Sequence, residues 1–256
     1  MRAQGPVEDV PAAASGDHLC WIYEDDADLG AAAREFLTGG LDRGERLLCV
    51  GLPPAVPHLD ELTARGAVQS LGLDEVYAAW PFDPDRQLAY YDAATRGARD
   101  DGYSGLRVLA DISDLATDDG QRAQLMRWEQ LADGYAVHGA GFSAMCAYRA
   151  DLPHEALADI AAVHPLVHGE PSAFRLFADQ DGIALAGSVD TFCSDRLARA
   201  LDAAPVAEGG VVLDLTRLEF LDIAACRTLA RWAAGLAARS LDLEIAGSSH
   251  LFRRMW

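Results

Sequence analysis

The chain has 256 residues, half of them hydrophobic, and a formal net charge of −19 from 40 acidic against 21 basic residues, every one of the latter an arginine. So acidic a surface repels nucleic acid phosphates and anionic headgroups, which argues against direct nucleic-acid binding and a peripheral membrane role. No apolar run reaches the length of a membrane span, MRAQGPVEDV lacks a signal-peptide core, and five cysteines without paired spacing point to reduced thiols, so a cytoplasmic protein is expected.

In chain order, apolar strands alternate with amphipathic helices, the rhythm of an α/β domain on a largely parallel sheet. Strands are expected at 18–23, 46–51, 75–80, 106–112 and 141–148. Helices are expected at 26–40, 54–65, 85–100, 121–138 and 154–164. The first helix carries Leu29, Ala33, Phe36 and Leu37 on one face, is capped by the acidic run Glu24-Asp25-Asp26 with Asp28, and closes on glycines. A polar turn, His168-Gly169-Glu170-Pro171-Ser172, then reads as a hinge. It divides the chain into 1–168, a hinge at 169–173, and 174–256.

Beyond the hinge, 174–189 reads as a hairpin and 211–215 as a buried strand. Asp222 stands where a helix N-cap belongs, ahead of apolar Ala225, Leu229, Trp232 and Leu236. A strand at 241–246 follows, and 248–256 is long enough for about two helical turns, with Leu251, Phe252 and Trp256 as their apolar stripe.

His18 and Cys20 alternate by two, as do Cys146 and Tyr148, so each pair shares one face of its strand. If those strands are neighbours, the faces meet, with Glu129, His164 and Asp111 as further members of a ligand pocket. Imidazole and thiolate suit zinc or another transition metal, with His18, Cys20 and Cys146 as candidate ligands. A dry cavity with a few polar groups suits a small apolar or aromatic ligand. Buried cysteines and histidines also serve as plain core, so three readings stand open. Trp80, Phe82, Tyr90 and Tyr91 read as core and rim packing, His154 and His168 as solvated, and Cys193 and Cys226 as helix packing. No Ser-His-Asp or Cys-His arrangement has a spacing that favours catalysis.

The ordered pieces His18-Leu19-Cys20, Gly39-Gly40-Leu41-Asp42-Arg43-Gly44-Glu45, Arg127-Trp128-Glu129, Met145-Cys146-Ala147-Tyr148 and His164-Pro165 resemble the MEDS family, sensory domains named for methanogens and methylotrophs. That resemblance implies a degenerate RecA/KaiC-like domain that senses a small molecule beside an output module. No nucleotide cofactor is expected. Strand 46–51 runs into Gly51-Leu52-Pro53-Pro54, whose prolines lack the amide donors of a phosphate loop, and the chain has no lysine. Asp111, ending VLADISDL, is similar to a metal-holding carboxylate, but without that loop it reads as a remnant or a helix-capping acid.

Residues 210–236, GVVLDLTRLEFLDIAACRTLARWAAGL, resemble a STAS domain, the fold of anti-sigma factor antagonists. The resemblance implies a partner surface at Asp222, Ile223, Ala224, Ala225 and Cys226, and an anti-sigma factor or related GHKL-type kinase as partner. Asp222 matches the family's Asp, but Ile223 stands at the phospho-acceptor position and has no hydroxyl, so control is expected to come from the first domain. The short C-terminus implies an apolar groove for a partner or a second copy, making a homodimer one expected state. The competing reading is an enzyme built on His18, Cys20, Glu129, Cys146 and Tyr148, with the STAS-like part for docking or dimerisation.

Overall fold

The computed structural model describes residues 3–11, 16–53, 62–63, 66–77, 82–139, 141–169, 172–248 and 250–255. Its first sheet has seven strands: β1 (Gly5–Pro6), β2 (His18–Tyr23), β3 (Arg46–Val50), β4 (Val68–Leu71), β5 (Leu106–Asp111), β6 (Phe142–Arg149) and β7 (Leu166–His168). They run in the order β1-β7-β2-β6-β5-β3-β4, and every pairing is parallel. The central strands are buried along their length because helices cover both faces, which is why HLCWIY and LRVLAD read as near-continuous apolar runs.

Helix α1 (Asp26–Asp42) begins where Asp25 accepts the amides of Ala27 and Asp28, each at 2.9 Å. The acidic run is therefore a cap, which leaves the α1 core face of Leu29, Ala33, Phe36 and Leu37 free to pack. The strand expected at 75–80 is replaced by β4 and a short helix, α2 (Leu73–Val76). Glu75 accepts the Gly72 amide and turns the chain into a helical start. Residues 78–81, with Trp80, lie outside the described residues, as does most of the helix expected at 54–65.

Helix α3 (Pro84–Asp100), capped by Asp83, and α4 (Asp119–Val137), capped by Asp118, pack together on one face of the sheet. Helix α5 (His154–Ala161) ends before His164, which lies in the turn leading to β7. His168, expected to be solvated, belongs to β7 and is half-buried. Its ring stacks on Trp21 at 3.6 Å, and its Nδ1–H donates to the Ile22 carbonyl at 3.1 Å.

The second sheet holds β8 (Phe174–Asp179), β9 (Gly182–Val189), β10 (Gly210–Asp214), β11 (Leu218–Leu221) and β12 (Asp242–Ala246). The expected hairpin is the antiparallel pair β8 and β9. Helices α6 (Ser194–Ala203) and α7 (Ile223–Ala238) pack on each other over one face of this sheet, and α8 (His250–Met255) adds Phe252 to that core. Leu251's side chain and Trp256 lie outside the described residues. Strand β10, expected to be buried, is mostly half-buried, because Val211 and Val212 line a groove that faces helices α3 and α4.

Helix α4 stands between the sheets and serves both. Leu125, Trp128, Ala132 and Ala136 join the core of the first sheet, while Met126 joins Phe174, Leu176, Leu197 and Leu201 in the second. Hydrogen bonds tie the units as well: the Leu176 backbone amide donates to the Ala162 carbonyl at 2.7 Å, and the Gln130 side-chain Nε2 donates to the Ala200 carbonyl at 2.8 Å. Asp159 on α5 accepts from Arg199 of α6 at 2.7 Å and has Arg196 at 3.3 Å.

Candidate functional site

Strands β2 and β6 are parallel neighbours in a register that sets His18 opposite Ala144, Cys20 opposite Cys146 and Ile22 opposite Tyr148. Period-two alternation then aims His18, Cys20, Cys146 and Tyr148 at the same side of the sheet, toward α4. Helix α4 returns Glu129, and the turn after α5 contributes His164. All of these side chains are buried, and His18, Glu129 and His164 have no exposed surface at all.

The Glu129 carboxylate is the hub. His18 Nε2 lies 3.1 Å from its Oε2, His164 Nε2 lies 3.3 Å from the same oxygen, and the Cys146 thiol donates to it at 3.2 Å. Tyr148 donates its hydroxyl to Oε1, and Cys146 Sγ is 3.5 Å from His18 Nε2. The His18 and His164 rings lie 4.3 Å apart.

Burial by itself lowers the pKa of His18, but the Asp133 and Glu129 carboxylates beside it raise the net value above the ordinary imidazole range. Burial raises that of Glu129, and the two imidazoles more than reverse it, holding the carboxyl well below its usual range. Burial, reinforced by the Glu129 charge, pushes the Cys146 thiol and the Tyr148 phenol well above theirs. The site is thus a carboxylate hub flanked by two imidazoles and two neutral donors.

Cys20 sits one strand across from Cys146 and beneath His18, outside the four groups whose donor atoms converge. Asp111 is not brought to the cluster. It pairs with Ala147, so it belongs to the opposite face register, at the carboxyl end of β5. There Tyr23 donates to its Oδ2 at 2.6 Å, while Ser113 donates both amide and hydroxyl to Oδ1, so the acid organises the turn after the strand.

Sequence reasoning missed Asp133. Its Oδ1 lies 3.3 Å from His18 Nδ1, while its Oδ2 accepts the Ala178 amide of β8 at 2.7 Å. The available signal was the four-residue spacing from Glu129, which stacks two acids on one side of a helix otherwise rich in apolar residues. Of the four aromatics read as core and rim, Phe82 and Tyr91 are buried and Tyr90 is partly exposed.

A groove of about 980 Å³ lies between helices α3 and α4 and the second sheet, with Leu88, Leu131 and Tyr135 on one wall and Ile183, Val206 and Val211 on the other. On the far side of the second unit, Asp222 caps α7, accepting the Ala225 amide at 2.8 Å and the Thr191 hydroxyl at 2.7 Å. Around that cap, Phe192 is 95% exposed, Ile223 63% and Phe220 54%. Ala225 and Cys226 are buried beneath them, and Ala224 is half-buried.

A parallel-sheet unit with a buried polar hub packs against a smaller α/β unit, and the two family matches place this two-part protein in the sensory and regulatory class. Residues 17–165 match the MEDS family, the MEthanogen/methylotroph, DcmR Sensory domain, and the chain belongs to that family. Residues 172–256 match the family described as Mlab, STAS domain. None of the curated proteins compared with the chain matches it. Among the described residues no helix is long and apolar enough to cross a membrane.

Proposed function

We propose that the chain is a signalling regulator in which a small molecule sensed by the MEDS unit controls the STAS unit as a docking module for an anti-sigma factor or related GHKL-type kinase. One observation carries this reading: Phe192, Phe220 and Ile223 stand out of the surface around the Asp222 cap, a concentration of large apolar side chains that a folded protein otherwise buries. Asp190, Asp222 and Glu219 border the patch, so the complementary partner surface is apolar with a basic rim. Ile223 carries no phosphorylatable oxygen, which moves control away from the docking residue itself. The groove between α3, α4 and the second sheet supports the other half of the reading. It has the size of a small-molecule pocket, and an occupant touches both units at once. Such a ligand shifts the docking surface only by as much as it prefers one arrangement of the units over the other.

Calorimetry of the full chain against GHKL-type anti-sigma kinases tests the reading. Binding is expected, and Ile223→Asp is expected to weaken it by about tenfold or more, the loss of a central apolar contact, without lowering the melting temperature. Failure of the intact chain to bind any such kinase removes the proposal.

A further inference from the structure

We infer that His18, Glu129, Cys146 and His164 form a binding site for one divalent transition-metal ion, with zinc the cation whose preferences match the donors. The four offer two imidazole nitrogens, a carboxylate oxygen and a sulfur, and these atoms all lie within 4.8 Å of one another. A tetrahedral zinc with bonds of about 2.0 Å to nitrogen or oxygen and about 2.3 Å to sulfur sets its donors roughly 3.3–3.8 Å apart. The separations here are 3.1 Å, 3.3 Å and 3.2 Å from Glu129 Oε2 to His18, His164 and Cys146, and 3.5 Å between Cys146 and His18. Four of the six edges thus fall within a few tenths of an ångström of those a tetrahedral ion requires, and all four donors stay within 4.8 Å of one another.

The surroundings match a metal site equally well. A metal-bound histidine turns its second ring nitrogen to a carboxylate or a backbone carbonyl, which fixes its tautomer. Both histidines do so: His18 Nδ1 faces Asp133 at 3.3 Å, and His164 Nδ1–H donates to the Ile160 carbonyl at 2.9 Å, leaving each Nε2 aimed at the centre. Tyr148 holds the outer oxygen of Glu129 and so orients the inner one. A hydrogen-bonded network explains the burial, yet it asks a single carboxylate oxygen to receive three neighbours while His164 Nε2 makes no well-formed hydrogen bond there. Four protein ligands close the coordination sphere, so the ion is structural or regulatory rather than catalytic. Binding releases the Cys146 thiol proton, and whatever proton His18 Nε2 carries, to solvent.

Resting on the signalling reading, the site also acquires a role. Asp133 sets one oxygen 3.3 Å from His18 Nδ1 and accepts the Ala178 amide of β8 with the other, so an ion that fixes the His18 ring stiffens the joint between the two units. Asp133 is then a positioning residue.

Elemental analysis of the full-length chain purified without added metal is expected to find about one zinc per chain. After chelation, titration with Co²⁺ is expected to produce tetrahedral d–d bands and a thiolate-to-cobalt charge-transfer band. Cys146→Ser is expected to lose the charge-transfer band and Cys49→Ser, a buried thiol on β3, to keep it. Asp133→Asn is expected to retain the spectrum while weakening affinity about 10–100-fold. Circular dichroism of each variant separates lost metal from lost fold. A folded wild-type chain that holds no metal and gives no cobalt bands overturns the assignment, as does loss of the band in Cys49→Ser with its fold intact. Kinase binding is measured separately on the same samples, so a chain that takes the ion and ignores the kinase removes the docking reading alone.

Discussion

Arg107 is a guanidinium with no exposed surface, in the middle of a sheet where it pairs with Leu47 and Ser143 and follows Leu106 along its own strand. It survives there because Glu45 accepts its Nε–H at 2.5 Å and the Phe36 ring lies 4.4 Å beneath its central carbon. Gly40 completes the arrangement: a Cβ at that position would meet the Arg107 stem at 2.6 Å. Burial lowers the Arg107 pKa and Glu45 opposes the shift. Glu45→Ala leaves a buried cation without its counter-charge, so a loss of about 3–5 kcal/mol is expected in urea unfolding. Glu45→Gln, which keeps an acceptor oxygen, is expected to lose less. Glu45 and Gly40 were visible beforehand as parts of a motif. Their reason was not, because the partner sits 62 positions away and reaches them only when β3 and β5 pair. The same distinction runs through the buried cluster around Glu129. Alternation placed His18, Cys20, Cys146 and Tyr148 on shared faces, whereas Asp111 needed the β5–β6 register to fall on the other side and Asp133 needed the second sheet to be in place.

At the scale of elements, α7 begins as the sequence led one to expect, with Asp222 as its cap, and the cap makes a pH-dependent contribution. The Ala225 amide and the Thr191 hydroxyl, both bonding the ionised form, hold the Asp222 carboxyl below the usual aspartate range. A group depressed in the folded state stabilises fully above its unfolded pKa, near 4, and its contribution vanishes as pH falls through the lower folded value. Asp222→Ala is therefore expected to melt below wild type at pH 7, with the gap closing as pH drops below about 4 in a series of thermal scans. Asp222→Asn still offers a capping oxygen and is expected to fall between the two. Long elements with a strong apolar period were legible, as α1, β5 and β6 illustrate. Short ones were not: β1, β4, β7 and α2 carry two to four residues each, too few for any period to emerge, and they owe their conformation to the neighbour they pair with or to one capping bond.

For the whole molecule, α4 is what ties the two sheets together, because consecutive residues on it, Leu125 and Met126, face different cores. The sequence left this hidden: with Leu125, Met126, Trp128 and Ala132 spread around the helix, apolar surface on two sides looks like a broad single stripe. Met126→Asp puts a carboxylate into the core of the second unit, where Leu197 and Leu201 offer it no hydrogen bond, while leaving Leu125 and Trp128 on the first sheet. Leu125→Asp does the reverse. If α4 is the joint, Met126→Asp undocks the second unit before the first unfolds, giving two thermal transitions and fast hydrogen exchange at the Leu176 and Ala178 amides, which in the docked state bond Ala162 and Asp133. Leu125→Asp is expected instead to destroy the first sheet's protection, including the amides of β5 and β6. Identical single-step unfolding of both variants would mean that the two sheets share one cooperative core and that α4 carries no signal between separable parts.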